Sequence, residues 1–121
     1  MRHRPVVFPE QDGEYLFLLM RVNGRHYIRF GDREKCGHHV DVLHEACVEF
    51  GLGRYEMKQM IRGNGATALR GGGMAFVYHE LAFVENPPFV NTFGKSQSFG
   101  LYNRRIVRRL LEGEGCTYFV D

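Results

Sequence analysis

Residues Glu14–Val22 read EYLFLLMRV, a nearly unbroken apolar run that ends at the dipeptide Asn23-Gly24. A run of this length closed by a turn signal reads as a β-strand buried on both faces. Asn-Gly is the strongest two-residue hairpin signal, because a type I′ turn needs positive φ at both central positions. His26–Phe30 then alternates as the return strand. A strand covered on both faces requires a layer of structure on each side of its sheet.

The rest of the chain supplies candidates for those layers. From Val40 the apolar residues fall at Val40, Leu43, Ala46, Cys47 and Phe50, and Gly51 and Gly53 follow as stop signals. After Gly100 the pattern is helical again, with Tyr102, Ile106, Val107, Leu110 and Leu111 on one stripe and Arg104, Arg105, Arg108 and Arg109 opposite. Between the two helices, Tyr55–Ile61 alternates and predicts a strand. Gly63, Gly65 and Gly71–Gly73 mark a turn or bulge. Met74–His79 and Phe89–Phe93 predict strands separated by Asn86-Pro87-Pro88, and Cys116–Val120 predicts a closing strand. Each helix has a single apolar stripe to bury on a sheet face. The expected fold is therefore α/β, a roughly six-stranded mixed sheet sandwiched between two helices. At 121 residues, 1–121 reads as a single domain, with 1–12 loosely ordered.

A formal charge of +2 gives no case for a nucleic-acid partner. The basic residues are nonetheless nearly all arginine, which suits bidentate contact with carboxylates or phosphates. Cys36, Cys47 and Cys116 form no CxxC pair, which points to a reducing, cytoplasmic setting without disulfides or structural zinc. Met1–Glu10 lacks the apolar run of a signal peptide, and no stretch has the length to cross a bilayer, so no membrane partner is expected.

Two segments carry chemistry. Phe89–Gly100 reads FVNTFGKSQSFG, a strand, a Gly-Lys-Ser-Gln-Ser-Phe-Gly loop, and then a helix. Gly94 and Gly100 let backbone approach a ligand, and the amides of Ser96, Gln97 and Ser98 could form a nest for an anion. The helix start would add partial positive charge, and Lys95 a full one. A Walker A motif is excluded, since its first glycine would fall on Phe89. An ordinary polar loop is the competing reading.

The second segment is HHVDVLHE at the start of the first helix. At about 100° per residue, His39 falls near the centre of the apolar stripe while His38, Asp41, His44 and Glu45 fall on the polar side. Three readings compete: a capping cluster with a half-buried His39, a metal site from His38, Asp41, His44 and Glu45, or a catalytic His39. An inward-facing histidine at a helix N-terminus tends towards the neutral form, which a general base requires. His3, His26 and His79 read as terminal, surface or core histidines.

Taken in order, these segments resemble the Janus/Ocnus family, which includes the small protein phosphohistidine phosphatases. DGEYLFLLMRV resembles the family's opening Asp-Gly turn and first strand, and HYIRF its second strand. GHHVDVL resembles its Tyr-His-Ala-Asp-Ile motif, and FGKSQSFG its Tyr-Gly-x-Ser-x-Ala-Tyr-Gly loop. The resemblance implies a six-stranded sheet flanked by two helices, with His39 as base or nucleophile. It puts phosphate on Ser96, Gln97 and Ser98, within a Gly94–Ser98 loop that includes Lys95, and needs no metal or cofactor. The chain departs from the family where its substrate-binding lysine falls on Leu16. The family's Gly-Gly-Gly-Arg aligns either with Gly71–Gly73, placing Met74 at the arginine, or with Gly63-Asn64-Gly65.

The resemblance implies a metal-independent phosphatase acting on phosphohistidine, on a protein or a small phosphoramidate, and a monomer is the expected state of the chain. A non-catalytic phosphate or phosphoprotein-binding module, using the same loop and the arginine face of the last helix, is the alternative. For that arginine face, a solvated surface competes.

Overall fold

The apolar run lies inside a sheet, and its period-2 geometry divides it between two cores. In the computed structural model, which describes residues 3–63, 65–79 and 87–121, the run is β2 (Gly13–Val22). It pairs antiparallel with β3 (Arg25–Asp32) on one side and β4 (Ala68–Tyr78) on the other. The full sheet is completed by β1 (Val6–Val7), β5 (Phe89–Phe93) and β6 (Tyr118–Val120), in the order β1-β3-β2-β4-β5-β6. The outer pairs β1–β3 and β5–β6 are parallel, so the sheet is mixed.

Tyr15, Phe17 and Leu19 point to one face, where they pack with Val107 and Leu111 of helix α3 (Arg104–Gly113). Leu16, Leu18, Met20 and Val22 point to the other, against Val42, Leu43, Ala46 and Cys47 of α1 (His39–Phe50). Phe17, Leu18, Leu19 and Met20 are fully buried. Burial of each contributes roughly 1.5–3 kcal/mol, so this one strand outweighs what the surface ion pairs offer. The Asn23-Gly24 turn has φ of 51° and 81°, the positive pair its sequence required.

Two elements differ from expectation. Tyr55–Ile61 is not a strand but lies within a third helix, α2 (Arg54–Arg62). Its N-terminus is closed by the Gly53 N–H donating to Glu56 Oε2 at 3.0 Å, and it buries Met60 fully and Met57 in part. Met57 and Met60 lie three apart, a spacing that one helical turn puts on one face. The helix joins α1 on the same side of the sheet, so helices flank the sheet as two against one. The sixth strand comes instead from the N-terminal stretch, where Val6–Val7 pairs with β3. Met1, Arg2, Asn64 and Asn86 lie outside the described residues, so one end of the 86–88 turn and the centre of the 63–65 glycine pair do too. No helix among the described residues is long and apolar enough to cross a membrane.

Arg29 ties the N-terminal strand to the fold. Although only 5% exposed, it makes a two-pronged bond with Glu49 of α1, both contacts at 2.8 Å. It also donates to the carbonyls of Arg4 at 2.9 Å and Pro5 at 3.3 Å. The Arg29 guanidinium holds the Glu49 carboxyl below its ordinary value. A carboxylate lowered on folding adds stability above its unfolded value, and that stability is lost as pH falls through the folded value. Glu49→Gln is expected to cost about 2 kcal/mol at pH 7. In urea denaturation, the difference from wild type should shrink as pH drops below the ordinary carboxylate range.

Candidate functional site

His39 occupies the first position of α1, one residue after the extended N-cap His38. Asp41 secures that start by accepting the His38 N–H at 3.0 Å. Residues three, four and seven further on, Val42, Leu43 and Ala46, are buried against the sheet, so His39 faces it as well. The ring is half-buried, and its Nε2 lies 2.9 Å from the carbonyl oxygen of Gly73. A carbonyl only accepts, so Nε2 carries the proton. In the neutral ring the lone pair then sits on Nδ1. Among the described residues, Nδ1 has no hydrogen-bond partner.

The candidate anion loop is fastened to the neighbouring residue of the same strand. The Ser96 N–H donates to Gly72 O at 2.9 Å, and the Gly72 N–H donates to Gly100 O at 3.1 Å. Ser96 also closes the loop on itself, its carbonyl accepting the Gly100 N–H at 2.9 Å and its Oγ the Phe99 N–H at 3.0 Å. With 1% exposure, Ser96 is therefore the internal pin of the loop. Its amide, expected to meet an anion, is already used. The exposed residues of the loop are Gly94, Lys95, Gln97, Ser98 and Gly100, and among the described residues the Gln97 and Ser98 amides form no protein hydrogen bond.

The expected contribution of a helix start also changes. Leu101, Tyr102 and Asn103 intervene between Gly100 and α3, and Asn103 Oδ1 caps the helix by accepting the Ile106 N–H at 3.2 Å. Tyr102 lies before the helix rather than on its stripe. It is buried, and its hydroxyl donates to Asp121 O at 2.6 Å.

His39 and the loop converge because Gly71–Gly73 has no side chains. A Cβ on Gly72 would meet Phe17 O at 2.5 Å and His39 Cδ2 at 3.1 Å. On Gly73 it would meet Phe93 O and the Tyr102 ring, each at 2.8 Å. Gly71 has φ of +97°, in the left-handed region, and a Cβ there would strike the Leu101 carbonyl. This triplet was readable as a turn or bulge, and its first residue, Gly71, shares with Arg70 a bulge within β4, opposite β2 between Leu18 and Met20.

Two apolar side chains adjoin the site. Leu16 pairs across the strands with Met74, and Met74 Cγ would be 3.6 Å from a Cβ on Gly94. Both pack in the core cluster on the α1 side.

The polar residues around His39 do not assemble into a metal site. Asp41 is engaged at the helix cap, and Glu45 accepts a 2.8 Å bond from the Cys36 thiol. Among the described residues, no group of three or more His, Cys, Asp or Glu side chains is placed to hold a metal. Burial, then the Glu45 contact, pushes the Cys36 thiol up to about 12, and burial pushes Cys116 up to about 11. Neither is a ready nucleophile at neutral pH. Among the other histidines, His79 Nδ1 lies 2.8 Å from Asp12 Oδ1 and His3 Nδ1 lies 3.4 Å from Glu49 Oε2, which makes both local structural partners.

Comparison with models of known protein families finds no match, and comparison with curated proteins also finds none.

Nitrogen NMR of His39 is expected to show the neutral ring protonated at Nε2, and a ring protonated at Nδ1 would contradict the assignment. Gly72→Ala is expected to lower stability by roughly 1–3 kcal/mol and to disturb that ring signal, because its methyl must displace backbone or imidazole.

Proposed function

We propose that this chain is a metal-independent phosphatase of the Janus/Ocnus type, hydrolysing phosphohistidine in cytoplasmic proteins or small phosphoramidates. The phosphohistidine phosphatase-like arrangement of sheet and helices is part of the same proposal. One observation carries it. The imidazole of His39 and the pin of the anion loop are bonded to consecutive carbonyls of β4, Gly73 and Gly72. A candidate base and a candidate phosphate nest, far apart in sequence, thus share one anchor. The register also favours Gly71–Gly73 over Gly63-Asn64-Gly65 as the counterpart of the family's glycine triplet, which places Met74 at the family's arginine.

In this reading the free amides of Gln97 and Ser98 receive phosphoryl oxygens in place of water, and Lys95 adds a charge. With Nε2 held protonated by Gly73, Nδ1 is the atom that acts. It takes a proton from water as the water oxygen attacks phosphorus, or it attacks phosphorus itself, in which case water then cleaves the phospho-His39 bond to release phosphate and restore the ring. The substrate's P–N bond breaks, and its electron pair and a proton stay with the departing imidazole. The apolar pair Leu16 and Met74 favours a second reading, a module that binds phosphate without turnover, because neither residue can neutralise developing charge.

His39→Ala is expected to lower turnover of a phosphohistidine substrate by roughly 10²–10⁴-fold, with chelators having no effect. Full activity in that variant would sink the hydrolase reading, and phosphate affinity without turnover in the wild type would select the binding module. Met74→Arg, at a half-buried position beside the loop, is expected to raise kcat/KM by about tenfold through one added charge-assisted bond.

A further inference from the structure

The face of the sheet opposite His39 carries a group of cations that the proposed hydrolysis does not use. Arg21 on β2 lies directly across from His26 on β3 and from Ala68 on β4. The β4 bulge sets both Arg70 and Gly71 opposite Leu19, because Leu18 pairs with Gly72 and Met20 with Leu69. Leu19 points to the α3 core, so Arg70 shares that face with Arg21 and His26. Helix α3 packs against β3 on this face, and its exposed Arg109 lies near enough to act on the His26 ring.

We propose that Arg21, Arg70 and Arg109, gathered around His26 on the α3 face, form a second anion site that binds a multiply charged oxyanion of phosphate or pyrophosphate type.

Four observations support the site. Arg21, His26 and Arg70 are each half-buried, and like charges held partly out of water repel one another unless an opposite charge joins them. Among the described residues, none of the three arginines has a carboxylate partner, since the ion pairs use Glu14, Glu49 and Asp12 elsewhere. Arg21 is positioned by a bond from Nη2 to Gly65 O, while its buried Nε has no partner. The proton on His26 is disfavoured first by burial and then by Arg21, Arg70 and Arg109, so all three guanidinium groups act on this one ring. Guanidinium forks approaching from three elements match an oxyanion with several acceptor oxygens better than they match one carboxylate. The site does not depend on the hydrolase reading.

The test follows the His26 ring by proton NMR through a pH titration in phosphate-free buffer, with and without inorganic pyrophosphate. Pyrophosphate is expected to cause saturable shifts at His26 and to raise its midpoint, since a bound anion offsets the arginines. Arg109→Gln, an exposed helix position, is expected to weaken binding about tenfold or more. Arg62→Gln on α2 should leave it unchanged, and the His26 response should persist in His39→Ala. A His26 midpoint that does not move at millimolar pyrophosphate would overturn the proposal. So would an affinity unaffected by both Arg70→Gln and Arg109→Gln, or a response lost in His39→Ala.

Discussion

The central stretch of β4 has to be free of side chains, and the site depends on that constraint. Two other parts of the chain crowd it from opposite faces. The Leu101 backbone presses on Gly71, the His39 ring on Gly72, and the Tyr102 ring on Gly73. With side chains absent, the main chain of β4 becomes a bonding surface. It offers one carbonyl to His39, the next to Ser96, and an amide to Gly100. A packed core resists added volume, so these approaches hold the ring and the loop in place. Glycine is entropically unfavourable inside a strand, and here the close contacts offset that cost.

The triplet also lies where two cores meet. Its residues face alternately towards α1 and α3, as the residues of β2 do beside it. The β4 bulge gives an extra residue to the α3 side, which places Arg70 beside Arg21 and His26 there while Gly72 still faces His39. One irregularity of backbone therefore shapes both faces. It positions the polar chemistry around His39 on one side and collects cations on the other. Around His39 the flanking pair Leu16 and Met74 is apolar. Any catalysis there relies on backbone amides and Lys95 rather than on buried cations.

Local signals in the sequence were reliable where the physics is local. Asn23-Gly24 demanded its turn whatever surrounded it, and Phe89–Phe93 formed with the expected bounds. The α1 stripe placed His39 against the sheet because Leu43, Ala46 and Cys47 of that face are buried, although Val40, read on the same stripe, is exposed. Tyr55–Ile61 misled because a seven-residue segment with few apolar positions fits either period. The choice fell to helix once Gly53 and Glu56 closed its start and Met60 found the α1-side core. Val6–Val7 had no periodicity to read. Its place as a strand depends on β3 offering a free edge and on Arg29 gripping the carbonyls of Arg4 and Pro5.

The sequence by itself determined a mixed α/β sheet with a doubly buried strand, a hairpin, an inward-facing His39 and a glycine-bounded polar loop. Each follows from residues near one another in the chain, through side-chain periodicity and turn chemistry. Only the tertiary structure decided that His39 and the loop share one strand, that Ser96 pins the loop while Gln97 and Ser98 stay open, and that Nε2 holds the proton. It alone also brought three arginines from separate elements to His26. Those outcomes depend on hydrogen bonds and register between segments distant in sequence, and no local pattern of residues encodes which carbonyl a distant amide or ring will meet.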